Sequence, residues 1–254
     1  MEKRRRKFQG VVNILSFNRH FYSIGLIGLG FVVLSQYLFT YNHSLKWFLV
    51  IAFTYGLVAP LVVSAYVYDF SRYYDFNWID KLNLRESVGS KIVNMNAGFD
   101  ETSYILKEKF QESNLQVFDF YDEMKHTEQA IKIARKVSSV YPNTNIINTS
   151  KIPLEDTCVD FLFLLSAAHE IRSNKEKITF FKECSRVLKN SGKILVVEHL
   201  RDVPNFLAFS IGFTHFFSKK TWKNVFEKAN LKLKEEIKFT PFVSVFVLEN
   251  NNKN

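Results

Sequence analysis

The chain has 254 residues, with 34 Lys plus Arg against 25 Asp plus Glu and a formal charge of +9. Its 47% hydrophobic and 16% aromatic content excludes a disordered chain, and 9 glycines without a fixed period exclude collagen-like and solenoid architectures. Two cysteines, Cys158 and Cys184, are too few for a disulfide framework and read as reduced packing residues of a cytosolic domain.

The apolar residues are unevenly spread. From Phe21 to Tyr41, and again from Trp47 to Tyr68, no side chain carries a charge. Each run is long enough for a helix to cross the roughly 30 Å hydrocarbon core of a bilayer. Asn42 to Lys46 suffice only for a tight turn, so the two runs predict a transmembrane helical hairpin over 21–68. Phe21, Tyr22, Tyr37, Tyr41, Trp47, Tyr66 and Tyr68 stand near the run ends, where amphipathic rings favour the interface. Gly25, Gly28, Gly30 and Gly56 predict close helix approach, and Pro60 predicts a kink. A buried hairpin of a soluble protein is the rival, and runs of this length exceed ordinary core helices.

Lys3, Arg4, Arg5, Arg6, Lys7 and Arg19 precede the first run, and Arg72, Lys81 and Arg85 follow the second, against Lys46 alone in the turn. The positive-inside rule then places the basic segment 1–20 and everything beyond the hairpin in the cytosol, as a multi-pass protein of the cytoplasmic (inner) membrane. Nearly half of the net charge lies in 2–7, which predicts contact with anionic lipid headgroups of the bilayer and not with nucleic acid. Arg5-Arg6-Lys7-Phe8 also resembles a twin-arginine export signal, but no small-residue cleavage site follows and a second apolar run does.

After a polar juncture (69–90), residues 91–254 alternate short apolar runs with amphipathic stretches. Lys91–Met95, Leu115–Phe120, Asn145–Ile147, Val159–Leu165 and Lys193–Val197 read as buried strands, and Glu101–Ser113, Glu123–Val140 and Lys175–Leu188 as helices. A helix over Lys220–Ala229 and two strands, Lys232–Lys238 and Ser244–Leu248, follow. This order predicts an α/β fold, a mainly parallel sheet with a C-terminal antiparallel strand. Ligands of such sheets sit outside the carboxyl ends of the strands. Gly98, two residues after Asn96, supplies a turn beyond the first strand. Asn96 stands where another glycine is usual, and asparagine tolerates positive φ. Asp119, about 20 residues on at the end of the second strand, is placed to accept from the ribose hydroxyls of an adenosine ligand; a solvated strand-end acid is the plainer alternative.

The tract from Lys91 to Leu248 resembles the class I S-adenosylmethionine-dependent methyltransferases, of the type 11 kind. Asp119-Phe120-Tyr121-Asp122-Glu123-Met124 resembles the family's acid-x-x-x-x-Met step. Asn148 to Asp160 is similar to its Asp-Ala-x-x-Leu-Pro-Phe-x-Asp-x-Ser-Phe-Asp stretch, and Arg186 to Lys193 to its Leu-Lys-x-Gly-Gly turn. The resemblance implies a Rossmann-like methyltransferase fold and S-adenosylmethionine as cofactor. It sets Asn96 and Gly98 against the methionine moiety, Asp119 on the ribose, and Asn148 and Thr149 near the adenine. The family has an acid where Asn94 stands, to hold the ligand's amino group. An amide accepts there without charge assistance, so weaker cofactor affinity is expected. Loss of binding altogether would leave a non-catalytic, membrane-anchored scaffold.

For chemistry, the fourth strand leads into His169 and Glu170 and the fifth ends in Glu198 and His199. A neutral imidazole suits deprotonation of a phenol or enol, which makes His199 the first candidate base and His169 the second, with Glu198 and Glu170 beside them. Helix capping or loop fixing are the plainer roles. No resident metal is predicted, since nothing in the spacing requires one, although these ligand types would suit one. Arg201, Asn205 and His215 are placed to face substrate, the last two within a Phe-rich stretch, Val203 to Phe217, that reads as an apolar lid or membrane-dipping helix. The layout is similar to membrane-associated methyltransferases of bacterial pigment and aryl-lipid pathways. A lipid-like or aromatic hydroxyl is therefore the expected acceptor, quinone-type carbon methylation the competing chemistry, and self-association stays open.

Overall fold

In the computed structural model, residues 5–39, 42–82, 84, 88–126 and 128–251 are described; Lys3, Arg4, Tyr41 and Arg85, invoked above, lie outside the described residues. The basic N-terminal stretch forms a helix of its own, α1 (Gln9–Phe17). The Asp69 carboxylate accepts from the amides of Gly10 (2.9 Å) and Val11 (3.3 Å), satisfying two otherwise orphaned donors of the first turn. Gly10 is required there, because a Cβ would lie 2.5 Å from Cβ of Tyr68.

The two apolar runs fold as α2 (Arg19–Leu38) and α3 (His43–Ser64), both long and apolar enough to cross a membrane by length and composition. Asn42 caps α3, its side chain accepting from the Ser44 amide (2.9 Å), so the helix begins inside the predicted turn. Gly25 and Gly28 face α3 closely, a Cβ on each meeting Leu57 (2.6 Å) or Phe53 (2.8 Å); Gly30 and Gly56 meet nothing and leave the interface to the other two. Helix α3 stays helical through Pro60 and then widens into a π-turn, Ala65–Phe70.

Seven strands form one sheet in the order β3-β2-β1-β4-β5-β7-β6. They are β1 (Lys91–Asn96), β2 (Asn114–Asp119), β3 (Asn145–Ile146), β4 (Val159–Leu165), β5 (Leu188–His199), β6 (Leu231–Thr240) and β7 (Val243–Asn250). All neighbours up to β5 are parallel, and β7 runs antiparallel to both β5 and β6, as predicted. The helices are α4 (Ser103–Lys109), α5 (Gln129–Val137), α6 (Asn174–Val187), α7 (Val203–Phe209) and α8 (Lys219–Lys228). Helix α5 is shorter than the predicted 123–140. Asp122 accepts from the Met124 amide while its own amide donates to His126 Nδ1, and this local turn displaces the helix start.

One core packs α6 and α8 against the sheet through Phe180, Phe181, Trp222 and Phe226. The second contains Tyr73, Phe76, Trp78, Ile79 and Leu82. The stretch read as a polar juncture is thus a core layer, because its aromatic residues bury while Asp75 and Asp80 stay at the surface.

Candidate active site

A cavity of about 440 Å³ lies at the carboxyl ends of β1, β4 and β5. Its floor carries Asn96, Ala97, Ser166, His169, Glu170 and His199. Its roof is α1, the start of α2 and the π-turn of α3, through Asn13, Phe17, Phe21, Tyr22, Pro60 and Tyr68. Tyr22 and Tyr68, read as interface anchors, therefore face the cavity instead. Arg5 secures the roof by pairing with Glu101, which also accepts from Tyr74 Oη (2.8 Å) and Asn13 Nδ2 (3.0 Å). That volume falls in the range of small-molecule sites.

The β1 turn departs from expectation in detail. Asn94 is buried and donates through Nδ2 to Thr102 Oγ1 (3.0 Å) and Ser103 Oγ (2.8 Å), tying down the start of α4 and standing back from the cavity lining. Asn96 needs no positive φ. It closes the turn by accepting from the Gly98 amide (2.9 Å), and Gly98 alone takes the left-handed conformation, at φ +85°.

At the end of β2, Asp119 accepts from the Tyr121 amide (2.8 Å) through Oδ1 and pairs with Arg135 Nη1 (2.8 Å) through Oδ2. Arg135 crosses the Tyr121 ring at 4.0 Å, and a Cβ on Gly98 would lie 1.9 Å from its Nη1. A second hollow, about 280 Å³, is lined by Phe120, Tyr121, Ile147, Asn148 and Thr149. Asn148 accepts from Ser150, and Thr149 donates to Glu176 (2.6 Å).

The β4 and β5 ends bring His169, Glu170, Glu198 and His199 together. His169 Nδ1 lies 2.7 Å from Glu198 Oε2, and its backbone amide donates to Glu198 Oε1 (3.1 Å). Burial disfavours a charged His169, but Glu198 with Glu170 outweighs this and raises it to about 10. His199 is the opposite case: burial pushes it down to about 4. Its hydrogen bonds fix the tautomer. Asn205 Nδ2 donates to Asp202 Oδ1 (2.9 Å) and the Phe242 carbonyl (3.0 Å), so Asn205 Oδ1 accepts from His199 Nδ1 (3.0 Å). His199 Nε2 is then the acceptor for the Tyr68 hydroxyl at 2.7 Å. Neither histidine titrates near 7, which sets aside the simple picture of a half-charged base.

His215 lines the cavity, its Nδ1 2.7 Å from Glu128 Oε2. Asn205 is fully buried behind His199 and positions it without reaching the cavity. Arg201 is exposed, donates to the carbonyls of Phe216 (2.8 Å) and Thr214, and so holds the segment after α7 without lining the cavity. Tyr68, Glu128 and Arg135 carried no motif and were missed; only their three-dimensional convergence marks them.

The positive-φ turn at Gly98, the Asp119 carboxylate and the hollow at Asn148 and Thr149 fit an adenosyl cofactor once the Arg135 side chain turns aside. The obstruction is the far end of a flexible side chain, not backbone. In a comparison with known proteins, residues 97–196 match the family model of a methyltransferase domain. No curated protein matches significantly by sequence. A protein of Pyrococcus horikoshii is similar in structure (17% identity, 71% of this chain and 90% of that one, TM-score 0.52). So is geranyl diphosphate C-methyltransferase of Streptomyces coelicolor, solved with Mg2+, geranyl diphosphate and S-adenosylhomocysteine (11% identity, 75% and 82%, TM-score 0.52). An S-adenosylmethionine-dependent methyltransferase of Aquifex aeolicus aligns over 70% of this chain and 92% of its own (17% identity, TM-score 0.48). The chain has a Rossmann-like methyltransferase fold and, over 97–196, matches the family model of a methyltransferase domain.

Proposed function

We propose that the protein transfers a methyl group from S-adenosylmethionine to a hydroxyl of a lipid-like or aromatic acceptor at the cytosolic face of the membrane. One observation carries the reading: the cavity at the strand ends is roofed by the same apolar helices that are long enough to cross a bilayer. Ile27 and Phe31 on α2 are each 73% exposed, among many large apolar side chains left exposed along α2 and α3, and exposed apolar patches mark interaction or membrane sites. A second, apolar groove of about 740 Å³ runs between α3 and α7, lined by Val58, Val62, Leu207 and Phe242, and suits an acyl or polyene tail. The cations Arg5, Arg6, Lys7, Arg19 and Arg72 favour the cytosolic face.

When bound, the cofactor supplies an electrophilic methyl on a sulfonium. Gly98 and Asn96 hold it on the β1 side, Asp119 at the ribose, and Asn148 and Thr149 at the base. The protein's task is alignment and removal of one proton. Tyr68 Oη, its own hydrogen committed to His199 Nε2, presents lone pairs to the acceptor hydroxyl. As the acceptor oxygen loses its proton to Tyr68, the Tyr68 proton passes to His199, while Asn205 keeps the Nδ1 hydrogen in place. Calorimetric titration of the detergent-purified chain with S-adenosylmethionine and S-adenosylhomocysteine tests the cofactor assignment: saturable 1:1 binding supports it. A folded protein that binds neither, with or without added lipid, favours the scaffold reading that Asn94 and the Arg135 obstruction suggest.

A further inference from the structure

We propose that His169, Glu170 and His215 bind a divalent ion of the zinc, iron or manganese kind on the cavity wall. The candidate ligand atoms, one from each residue, all lie within 4.8 Å of one another. Ligands about 2.1 Å from a shared ion are some 3–3.5 Å apart, and His169 Nε2 to Glu170 Oε1 already measures 3.4 Å. The surroundings are built for coordination. Each imidazole has its Nδ1 committed to a carboxylate, His169 to Glu198 and His215 to Glu128, both at 2.7 Å. That arrangement leaves Nε2 as the ligand atom on both rings and is the carboxylate–histidine–metal pattern that orients imidazole ligands.

A further observation points to a cation at this place. Glu170 is buried, lines the cavity, and its Oε2 has no hydrogen-bond partner, a costly state for a carboxylate oxygen. Glu128, Glu170 and Glu198 converge on the two imidazoles, and Arg172 Nε lies 3.5 Å from Glu128. Arg172 also joins the two ligand-bearing segments, its Nη1 donating to the carbonyls of His169 (3.2 Å) and His215 (2.7 Å). Two nitrogens and one carboxylate favour a borderline transition-type ion over magnesium or calcium. Because all three residues line the cavity, the ion keeps open positions toward it and would hold the acceptor oxygen as a Lewis acid. That role rests on the methyl-transfer reading; the ion site does not.

The test is titration of chelator-stripped, full-length protein in detergent with Co2+, followed by visible absorption, and with Zn2+ by displacement. The expected result is one equivalent of Co2+ with ligand-field bands of nitrogen coordination. Glu170→Gln and His215→Ala should each weaken it about tenfold or more, and Glu198→Gln about 10–100-fold. His43→Ala, at the far end of α3, leaves it unchanged. Zn2+ should raise the unfolding temperature of the parent and not of Glu170→Gln, which is nearly isosteric and keeps the test valid if His215→Ala misfolds. Folded protein that takes up no stoichiometric Co2+ or Zn2+, or uptake that survives both ligand substitutions, overturns the site. S-adenosylhomocysteine binding, measured on the same samples, separates failure of the ion site from failure of the methyl-transfer reading.

Discussion

Arg135 Nη1 lies 2.8 Å from Asp119 Oδ2, so the carboxylate that would hold a ribose is already engaged by a cation of its own chain. The same side chain reaches over Gly98, where an added Cβ would lie 1.9 Å from its Nη1. A ligand held at both Gly98 and Asp119 must displace it. The pair is about one-third exposed on the arginine side, so its loss costs about 1 kcal/mol. Arg135→Ala is therefore expected to raise S-adenosylhomocysteine affinity about fivefold, while Asp119→Ala lowers it at least about tenfold. Calorimetry reads both, and weaker binding in Arg135→Ala would show that the guanidinium is a ligand contact and not an obstruction.

Gly98 has a second reason to resist substitution. At φ +85° an L-residue is strained, and its Cβ would also meet the Arg135 side chain. Gly98→Ala should destabilise the domain by about 1–3 kcal/mol, seen as a lower denaturation midpoint in urea. The double variant with Arg135→Ala should regain only the steric part.

His199 sets the pH behaviour of the proposed reaction. Its folded value is about 4, so it is neutral and able to accept a proton throughout the physiological range. On its account kcat/KM should stay flat from pH 8 to pH 5 and fall only as pH approaches 4. A break near 6.5 would mean that the buried Tyr68–His199–Asn205 chain is not the proton route. His199→Ala should slow turnover while sparing cofactor binding.

Lys177 is fully buried beneath Phe217, its Nζ 3.3 Å from that ring centre and donating to the Ile171 carbonyl. Burial lowers it from 10.5 to about 7. Between pH 7 and 10 the unfolded chain then holds a proton that the folded protein has released, so stability rises with pH over this window. Thermal unfolding across pH 7–10 should show the rise in the parent, and Lys177→Met should flatten it.

Much of this was legible in the sequence. Strand runs such as Val159–Leu165, with their near-continuous apolar character, gave the parallel sheet. The spacing from Gly98 to Asp119 gave the two turns that flank the cavity, and His169, Glu198 and His199 converge as strand order requires. Three things were hidden. The N-terminal segment reads as a basic tail, yet Asp69 and Glu101, distant in sequence, fold it into a roof. Arg135 sits on an ordinary amphipathic helix, and nothing local says that it reaches back to Asp119. Tyr68 has the look of an interface aromatic, and only the π-turn after Ser64 aims it at His199.

The central claim is methyl transfer to a membrane-borne acceptor in the cavity between the strand ends and the apolar helices. Its most direct test is incubation of the detergent-purified chain with methyl-tritiated S-adenosylmethionine and a total membrane lipid extract, followed by organic extraction. The account predicts label in the organic phase that depends on the protein, disappears in Asp119→Ala and is strongly reduced in His199→Ala. Label confined to the aqueous phase, from protein that binds S-adenosylhomocysteine, would contradict it.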